Sequence, residues 1–466
     1  MTPSSRRAIE TICQRYQAAI LECTSQRLHI ALVNTPSKEM MTELRFTTQG
    51  TIDVECWPKA RLEQFLHRSD NRGAEPVDEH SKQLHTSAVD RINHLLELAL
   101  QKRASDIHIE PQEHWLRVRI RVDGVLQQAV ALSENGTALI ARLKILANLD
   151  IAERRLPQDG QFSLVLKDKN ESFRLSTLPT RNGEKAVIRL LHSNEQAISL
   201  EKLGMPAPLL KRYRTALLKP QGLILVTGPT GSGKTFTLYS GLSWLNVPDR
   251  NLCSVEDPIE IPLAGVNQTQ IHPRAGLSFH LVLRALLRQD PDVIMLGEIR
   301  DGETAEIAVK AAQTGHLVLS TLHTNSTTET LLRMGQMGVP GYMLASALRL
   351  VIAQRLIRKL CPHCRQPAKA LAHFPASIWP GTVQNWRAVG CDRCFSGYYG
   401  RLALFEMLPV SPALQNALAQ NAGPEALAKI ALQQGMDPLF VGGLHCVNRG
   451  DTTLEELTRV IGNGDG

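Results

Sequence analysis

The feature that most constrains this chain is the segment 228–235, which reads Gly-Pro-Thr-Gly-Ser-Gly-Lys-Thr. It follows an apolar run at 223–226, which predicts a buried strand, and precedes residues 236–245, which predict a helix. Glycines at this spacing let the backbone curl so that several N–H groups point at one anion, and the helix N-terminus adds its positive dipole end. The segment therefore predicts a phosphate-binding loop for a nucleoside triphosphate.

Two side chains of this loop complete the predicted phosphate site. Lys234 supplies a positive charge for the outer phosphates, and Thr235 offers a hydroxyl group to Mg²⁺. We therefore expect ATP and Mg²⁺ as ligands. The residues predicted to hold the nucleotide are Gly228, Pro229, Thr230, Gly231, Ser232, Gly233, Lys234 and Thr235.

Length and charge set broad limits on the rest of the chain. Its 466 residues exceed what one hydrophobic core usually holds, so several domains are expected. The net charge of +7 permits contact with acidic lipid or nucleic acid without arguing for either. No run approaches about 18 apolar residues, and charged residues interrupt the first 23 residues. We therefore expect neither a spanning helix nor a signal peptide, and a cytoplasmic protein unless a partner holds it at a membrane.

Hydrophobic patterning divides the chain into units. Residues 1–68 predict a small α/β docking module, in which 8–21 is helical. Residues 69–84 lack apolar periodicity and predict a linker. The units predicted after the linker are a middle α+β domain at 85–196, a nucleotide-binding core at 197–350, a cysteine-rich subdomain at 351–410 and a helical segment at 411–466.

The middle domain carries arginines on or beside two predicted strands. They are Arg174, Arg181 and Arg189. Arginines on strands are commonly solvated or paired across a sheet, and this interpretation stays open. The other interpretation is that they reach the triphosphate from outside its own domain, as arginine fingers.

In the nucleotide-binding core, acidic side chains stand where apolar strands end. One predicted strand is followed by Glu256, Asp257 and Glu260, and another by Glu298. The carboxyl ends of parallel strands are where such sheets bind ligands. An acid that ends an apolar strand can hold Mg²⁺ directly or through water. We therefore expect these carboxylates near the phosphates.

Two histidines, His316 and His323, bracket the apolar run 317–322. A single histidine at a strand end is usually structural, and that alternative stays open here. Two histidines that flank one strand of an ATPase core favour a role in sensing or coupling to the γ-phosphate.

The cysteines form a separate pattern. Cys361 and Cys364 make one C-x₂-C knuckle, Cys391 and Cys394 make another, and 26 residues lie between them. Four thiolates can close a tetrahedral Zn²⁺ site with no open position, so we predict a structural zinc site. The long spacer predicts an inserted loop such as 370–385. A redox-active dithiol pair is the alternative.

Together these motifs resemble the secretion ATPases of type II secretion and type IV pilus assembly, the GspE/PilB type. Within that family the chain most resembles the short, HofB-like enterobacterial members. The resemblance covers roughly residues 85–460 and rests on the phosphate loop 228–235, the Asp box 254–260, the Walker B segment 293–301, the His box at 314–316 and 323–325, the segments 104–110 and 155–160, and the four cysteines.

The resemblance implies an architecture and partners. The fold implied is a RecA-like P-loop ATPase domain of the α/β class, preceded by an α+β (PAS-like) domain and a small N-terminal α/β module. A tetracysteine zinc insert and a helical C-terminus complete it. The protein would be a homohexamer that works peripherally at the inner membrane on a polytopic platform protein. A membrane-anchored docking protein is a further candidate partner, and no specific nucleic acid is expected.

The resemblance also assigns roles to residues of this sequence. Lys234 and Thr235 match positions that bind phosphate and Mg²⁺. Glu298 matches a carboxylate that supports Mg²⁺, and Glu260 matches the general base for the attacking water. Glu256 and Asp257 match positions that shape the nucleotide-binding pocket. The residues that match catalytic positions are the arginines that complete the site from the preceding domain, Arg174, Arg181 and Arg189, and the His-box residues His316 and His323.

Three other functions remain as alternatives: a DNA-uptake or DNA-translocating motor, a pilus-retraction motor, and a catalytically silent ring component. Aromatic residues make up only 5% of the chain and no basic run interleaves with them, which argues against the first. The tetracysteine insert argues against the second. The intact phosphate-binding and acidic positions argue against the third.

Overall fold

The computed structural model describes residues 18–23, 27–48, 51–59, 87–132, 136–167, 169–191, 199–272 and 275–462, together with residues 9, 12, 13, 16, 61 and 62. The predicted linker 69–84 lies outside these residues. Of the helices that are described, none combines the length and the apolar character needed to cross a bilayer.

The described part of the N-terminal module is a three-stranded sheet with a connecting helix. β1 (Ala19–Cys23) pairs antiparallel with β2 (Arg27–Leu32), and β2 pairs parallel with β3 (Thr51–Cys56) across α1 (Lys38–Thr47). The helix predicted over 8–21 is wrong at its end, because residues 19–21 belong to β1. Their backbone groups bond to β2, which satisfies them without a helix.

The middle domain packs helices on one face of an antiparallel sheet. In the residues described between 87 and 191, six strands have the order β6-β5-β4-β9-β8-β7. Alternation along β5 buries Leu116, Val118, Ile120 and Val122 and leaves three arginines on the opposite face. The elements are α2 (Ala88–Gln101), β4 (Ala104–Pro111), β5 (Leu116–Val122), β6 (Val125–Leu132), α3 (Thr137–Leu146), β7 (Gln158–Leu166), β8 (Lys169–Thr180) and β9 (Gly183–Leu191).

The predicted nucleotide-binding core is a mostly parallel sheet. Its first elements are α4 (Ala207–Leu217), β10 (Gly222–Thr227), α5 (Lys234–Leu245), β11 (Leu252–Glu256), β12 (Asn267–Gln270), α6 (Phe279–Leu286), β13 (Val293–Leu296), α7 (Gly302–Gln313), β14 (Leu317–Leu322), α8 (Thr327–Gln336), α9 (Gly341–Ala347) and β15 (Leu348–Leu360). The elements that follow are β16 (Arg365–His373), β17 (Thr382–Ala388), β18 (Tyr398–Pro409), α10 (Pro412–Ala419), α11 (Pro424–Gln433), α12 (Leu439–Asn448) and α13 (Leu454–Ile461).

The sheet order places β10, the strand before the phosphate loop, between β14 and β15. Within residues 199–272 and 275–462, seven strands run in the order β12-β11-β13-β14-β10-β15-β18. All neighbours are parallel except β18, which is antiparallel to β15. Apolar cores cover both faces, so the strands read as continuous hydrophobic runs. The polar residues that follow β11, β13, β14 and β10 therefore meet at one edge.

The boundary predicted between residues 350 and 351 does not separate two units. It falls inside β15, and both β15 and β18 are strands of the core sheet because their buried residues continue its two apolar cores. The loop predicted over 370–385 is instead part of a hairpin, in which β16 pairs antiparallel with β17. The cysteine-rich unit is thus an excursion between two neighbouring strands.

Candidate nucleotide-binding site

The phosphate loop connects buried β10 directly to the N-terminus of α5. Its glycines at 228, 231 and 233 have φ angles of 145°, 80° and 89°, which favour glycine. A Cβ on Gly228 would lie 2.5 Å from the carbonyl oxygen of Gln354, so no larger residue fits there. The loop can therefore wrap its backbone N–H groups around an anion at the positive end of the helix.

Lys234 and Ser232 both fit an anion inside this loop. The ammonium group of Lys234 is buried and donates hydrogen bonds to the carbonyl oxygens of Gly228 at 2.8 Å and Pro229 at 3.1 Å. Burial lowers the pKa of Lys234 to about 8, although the nearby Glu298 acts in the opposite direction. The hydroxyl group of Ser232 is buried without a hydrogen-bond partner among the described residues. A phosphate group would supply a partner to both.

Glu256 is buried and held by internal donors. Its carboxylate accepts hydrogen bonds from Ser254 at 2.6 Å, from Gln268 at 3.0 Å and from the phenol of Tyr239. The same phenol oxygen accepts a hydrogen bond from the backbone N–H of Glu260 at 3.3 Å. Burial raises the pKa of Tyr239, so the phenol stays protonated and donates. Glu256 therefore acts on the segment that carries Glu260.

Glu298 joins a cluster at the ends of β13 and β14. One of its carboxylate oxygens lies 3.3 Å from Nε2 of His323, and the other accepts a hydrogen bond from Arg300. Arg300 also lies 3.7 Å from Asp257. Burial raises the pKa of Glu298, but the hydrogen bonds from Arg300 and His323 outweigh it and hold the pKa below its ordinary value. Glu298 is therefore ionised at neutral pH, while Asp257 and Glu260 are exposed.

The two histidines do not meet at one site. β14 separates them by six residues, or roughly 20 Å. The backbone N–H and Nδ1 of His316 both contact the carbonyl oxygen of Ala311, at 3.2 and 3.0 Å. The carbonyl oxygen of His316 accepts a hydrogen bond from Gly222, at the start of β10. Only His323 therefore lies at the edge of the sheet that carries the phosphate loop.

The three arginines of the middle domain separate into two places. Arg174 and Arg189 lie opposite each other on β8 and β9. Arg189 donates to Asp106 at 3.0 Å, and Arg121 lies 3.5 Å from the other oxygen of that carboxylate. Arg181 is exposed in the turn after β8, roughly 20 Å along the hairpin. In the part of the chain described, no hydrogen bond or ion pair joins these arginines to the phosphate loop.

The four cysteines meet as one cluster. Their sulfur atoms all lie within 4.8 Å of one another. Measured separations are 3.9 Å for Cys361–Cys391, 3.6 Å for Cys364–Cys394 and 3.6 Å for Cys391–Cys394. Tetrahedral Zn–S bonds of about 2.3 Å require sulfurs about 3.8 Å apart, so the cluster fits one tetrahedral ion. Burial raises the pKa of Cys364 to about 11, so a cation is needed to keep that thiol ionised at neutral pH.

Three residues near the loop were not predicted from the sequence: Tyr239, Gln354 and Arg355. The amide oxygen of Gln354 accepts a hydrogen bond from Thr237 in α5 at 2.7 Å. Arg355 donates to the carbonyl oxygen of Asn325 at 3.0 Å. A sequence signal existed, because a Gln-Arg pair interrupts the apolar run of β15, and polar residues in a buried strand need partners.

Comparison with known proteins identifies the family. Residues 82–459 match the protein family T2SSE, described as Type II/IV secretion system protein. The Protein transport protein HofB homolog of Escherichia coli K12 is 54% identical over 455 residues, which cover 97% of this chain and 98% of that protein. The Type IV pilus assembly ATPase PilB of Pseudomonas aeruginosa is 48% identical over 377 residues, or 79% of this chain and 66% of that protein. The Type II secretion system ATPase E of Vibrio cholerae is 45% identical over 375 residues, or 79% and 74%.

Solved structures agree with this assignment. The Legionella pneumophila ATPase DotB superposes with a TM-score of 0.61 at 20% identity, over 83% of this chain and 97% of that one, and shows the fold. The pilus retraction motor PilT with bound ADP superposes with a TM-score of 0.53 at 26% identity, over 79% and 96%. The resemblance inferred from the sequence is confirmed. The chain therefore belongs to the Type II/IV secretion system protein family, as a secretion ATPase of the GspE/PilB type.

Proposed function

We propose that a homohexamer of this chain hydrolyses ATP to drive assembly of a type IV pilus or a type II secretion pseudopilus through a polytopic inner-membrane platform protein. The observation that carries the proposal is the convergence of the phosphate loop and the Glu298–His323 pair at one edge of the sheet. Relatives named for pilus assembly and for type II secretion support it.

Binding of the triphosphate falls to the loop and its flanking side chains. Backbone N–H groups and Lys234 bind the outer phosphates, and the unpartnered hydroxyl of Ser232 donates to a phosphate oxygen. Thr235, whose side chain is exposed, and the ionised Glu298 would hold Mg²⁺. When bound, that ion neutralises charge that develops on the phosphate oxygens.

Glu260 is the general base in this proposal. Its side chain is exposed at the same edge, and its backbone is held through Tyr239 by the buried Glu256. Glu260 takes a proton from the attacking water, and Lys234 stabilises the charge on the leaving phosphate oxygens. His323 contacts Glu298 and would report whether the γ-phosphate is present.

The middle domain supplies the remaining positive charge. Arg174 and Arg189 form one pair of guanidinium groups, and Asp106 holds Arg189 in place. They reach the triphosphate when the middle domain of the same or a neighbouring protomer closes on the loop, whereas Arg181 acts at a separate place. Closing and opening with the nucleotide would be the stroke that moves the platform protein.

The cysteine cluster has a structural role. Cys361 and Cys364 follow β15, and Cys391 and Cys394 precede β18, so a bound Zn²⁺ would join the ends of two paired strands. The N-terminal module would dock to a membrane-anchored partner, which would keep the protein at the cytoplasmic side of the inner membrane. No nucleic acid is required.

Steady-state ATP hydrolysis tests this function. The zinc-loaded full chain is assayed alone, with the cytoplasmic domain of a candidate platform protein, and with double-stranded DNA. Stimulation by the platform domain and indifference to DNA are expected. Stimulation by DNA instead would favour a nucleic-acid motor and contradict the proposal.

A further inference from the structure

Arg355 lies beside the first glycine of the phosphate loop. β15 pairs with β10 so that Ala353 lies opposite Thr227, the residue before Gly228. A Cβ on Gly228 would come within 3.1 Å of Nη1 of Arg355. Only 7% of Arg355 is exposed. The loop is therefore bordered by a second buried cation besides Lys234.

Among the residues that the structure describes, no carboxylate forms an ion pair with Arg355. Its guanidinium donates to the carbonyl oxygens of Gln354 and Asn325, both at 3.0 Å, and to the amide oxygen of Asn325 at 3.1 Å. Among the described residues it forms no ion pair within 4.0 Å, and Glu406 and Glu329 act on it only from farther away. A guanidinium stays protonated, and an unpaired buried charge is unfavourable. Neutral side chains can make such hydrogen bonds, so the bonds do not explain the charge.

Arg355 also holds the segment 323–325. The backbone N–H of Thr324 donates to the hydroxyl of Thr227, the last residue of β10, at 2.9 Å. Asn325, the next residue, is held by Arg355. The segment is thus fastened at two consecutive residues to groups that border the phosphate loop. His323, the first residue of this segment, contacts Glu298, which follows β13.

We propose that Arg355 is a positioning residue for ATP hydrolysis: the triphosphate balances its charge, and through Asn325 it sets the position of His323 beside Glu298. The inference rests on the proposed ATPase function and extends it to β15. Negative charge in the loop attracts the guanidinium strongly because Arg355 is itself buried. ADP brings less negative charge than ATP, so Arg355 distinguishes the two nucleotides.

The test compares wild type with Arg355→Gln, Arg355→Lys and a matched control, Arg349→Gln, in the zinc-loaded full chain. Arg349 lies at the other end of β15 and likewise donates to backbone carbonyls, those of Gln221 at 3.3 Å and Ser346 at 2.9 Å. Melting temperatures are measured without nucleotide, with ADP and with a non-hydrolysable ATP analogue. Binding affinities, kcat and KM are measured in parallel.

We expect Arg355→Gln to melt no lower than wild type without nucleotide, because an unpaired buried charge is removed. Its affinity for the ATP analogue should fall on the order of 10-fold, and its affinity for ADP should fall less. The turnover number should fall as well, since His323 loses its position. Arg355→Lys should retain more affinity for the ATP analogue than Arg355→Gln, and Arg349→Gln should behave as wild type.

Three results would overturn the inference. They are a lower melting temperature or failure to fold without nucleotide, equal losses for ADP and the ATP analogue, and unchanged binding with unchanged kcat. Failure of the proposed function would give a different result. In that case wild type itself would show no nucleotide binding that the Lys234→Ala substitution abolishes.

Discussion

The ATPase sheet and the middle-domain sheet carry their charged residues in different ways. The first is mostly parallel and buried on both faces, so its polar groups collect where strands end. The second is antiparallel and buries one face, so its charges spread across the other. In the first sheet, a candidate site residue can therefore be recognised because it directly follows an apolar strand. In the second sheet, a candidate residue can be recognised only from the residues paired with it on neighbouring strands.

A row of three arginines and one aspartate crosses the exposed face of the middle sheet. In register across four strands lie Arg121, Asp106, Arg189 and Arg174. This row makes the two interpretations of the arginines compatible. Pairing with Asp106 fixes one face of Arg189 and leaves the rest of a guanidinium that is half-exposed free for a phosphate.

Replacing Arg189 tests the comparison most severely. If the face completes the nucleotide site, Arg189→Ala should reduce ATP turnover by on the order of 10³-fold or more, as for other arginine fingers. Because Arg174 lies opposite, the double variant should lose little more than the single one. Arg181→Ala, at the far end of the hairpin, is the control and should combine independently with Arg189→Ala. Turnover of Arg189→Ala near that of wild type would leave this face with a structural role only.

Removal of metal tests whether the parallel sheet depends on a cross-link at its edge. The chelated chain should be about 4 kcal/mol less stable than the chain in the presence of free zinc at about 1,000 times its Kd. Its melting temperature should therefore be lower by roughly 8–16 °C. The KM for ATP should change little. Metal analysis of the purified chain with one equivalent of zinc is expected, and Cys364→Ser should reproduce the loss. A chain that contains no metal and is indifferent to chelation would contradict this.

Glu110 tests the electrostatic character of the middle sheet. It is buried against Arg117, Arg119 and Lys185 at 3.0, 2.8 and 2.9 Å. Burial raises its pKa, but the hydrogen bonds from Arg119 and Lys185 outweigh this and lower the pKa to about 2. Its contribution to stability is therefore full above pH 4.5 and is lost as the pH falls toward 2.

Glu110→Gln should accordingly lower the free energy of unfolding by about 2–3 kcal/mol at pH 7, measured in urea. The difference from wild type should shrink as the pH falls from about 4 toward 2. A difference that stays constant over this range would show that Glu110 contributes by packing and not by its charge.

Tyr239→Phe tests the buried network beneath the strand ends and should have the smallest effect. It removes the donor to Glu256 and the acceptor for the backbone N–H of Glu260, at a cost of about 1–2 kcal/mol of stability. The kcat should fall more than the affinity for ATP, because Glu260 loses its position while the loop keeps its own. Equal stability and kcat in the two proteins would show that the network is dispensable.

Much of the candidate nucleotide-binding site could be predicted because parallel strands bring their ends to one edge. The loop before Lys234, the acid Glu298 and the cysteine knuckles follow from motif spacing. The sequence predicts Glu256 just after a strand, whereas it is the last residue of β11, and its burial depends on Tyr239 and Gln268, which are distant in sequence.

Other features depend on contacts that the sequence does not show. His316 and His323 look equivalent in sequence, yet one lies at each end of β14. The domain boundary predicted after residue 350 is wrong because β15 pairs with β18, and the cysteine-rich unit lies between these two strands in the sequence. The predicted end of the first helix is wrong because residues of β1 form their hydrogen bonds with β2.

The most direct test of the central claim is ATP hydrolysis by wild type beside Lys234→Ala and Glu298→Gln, each folded and zinc-loaded. The account predicts turnover by wild type and a loss of roughly 10²- to 10³-fold in both variants, with unchanged circular dichroism. Turnover that persists at the wild-type level in Lys234→Ala would contradict the assignment of catalysis to this edge of the sheet.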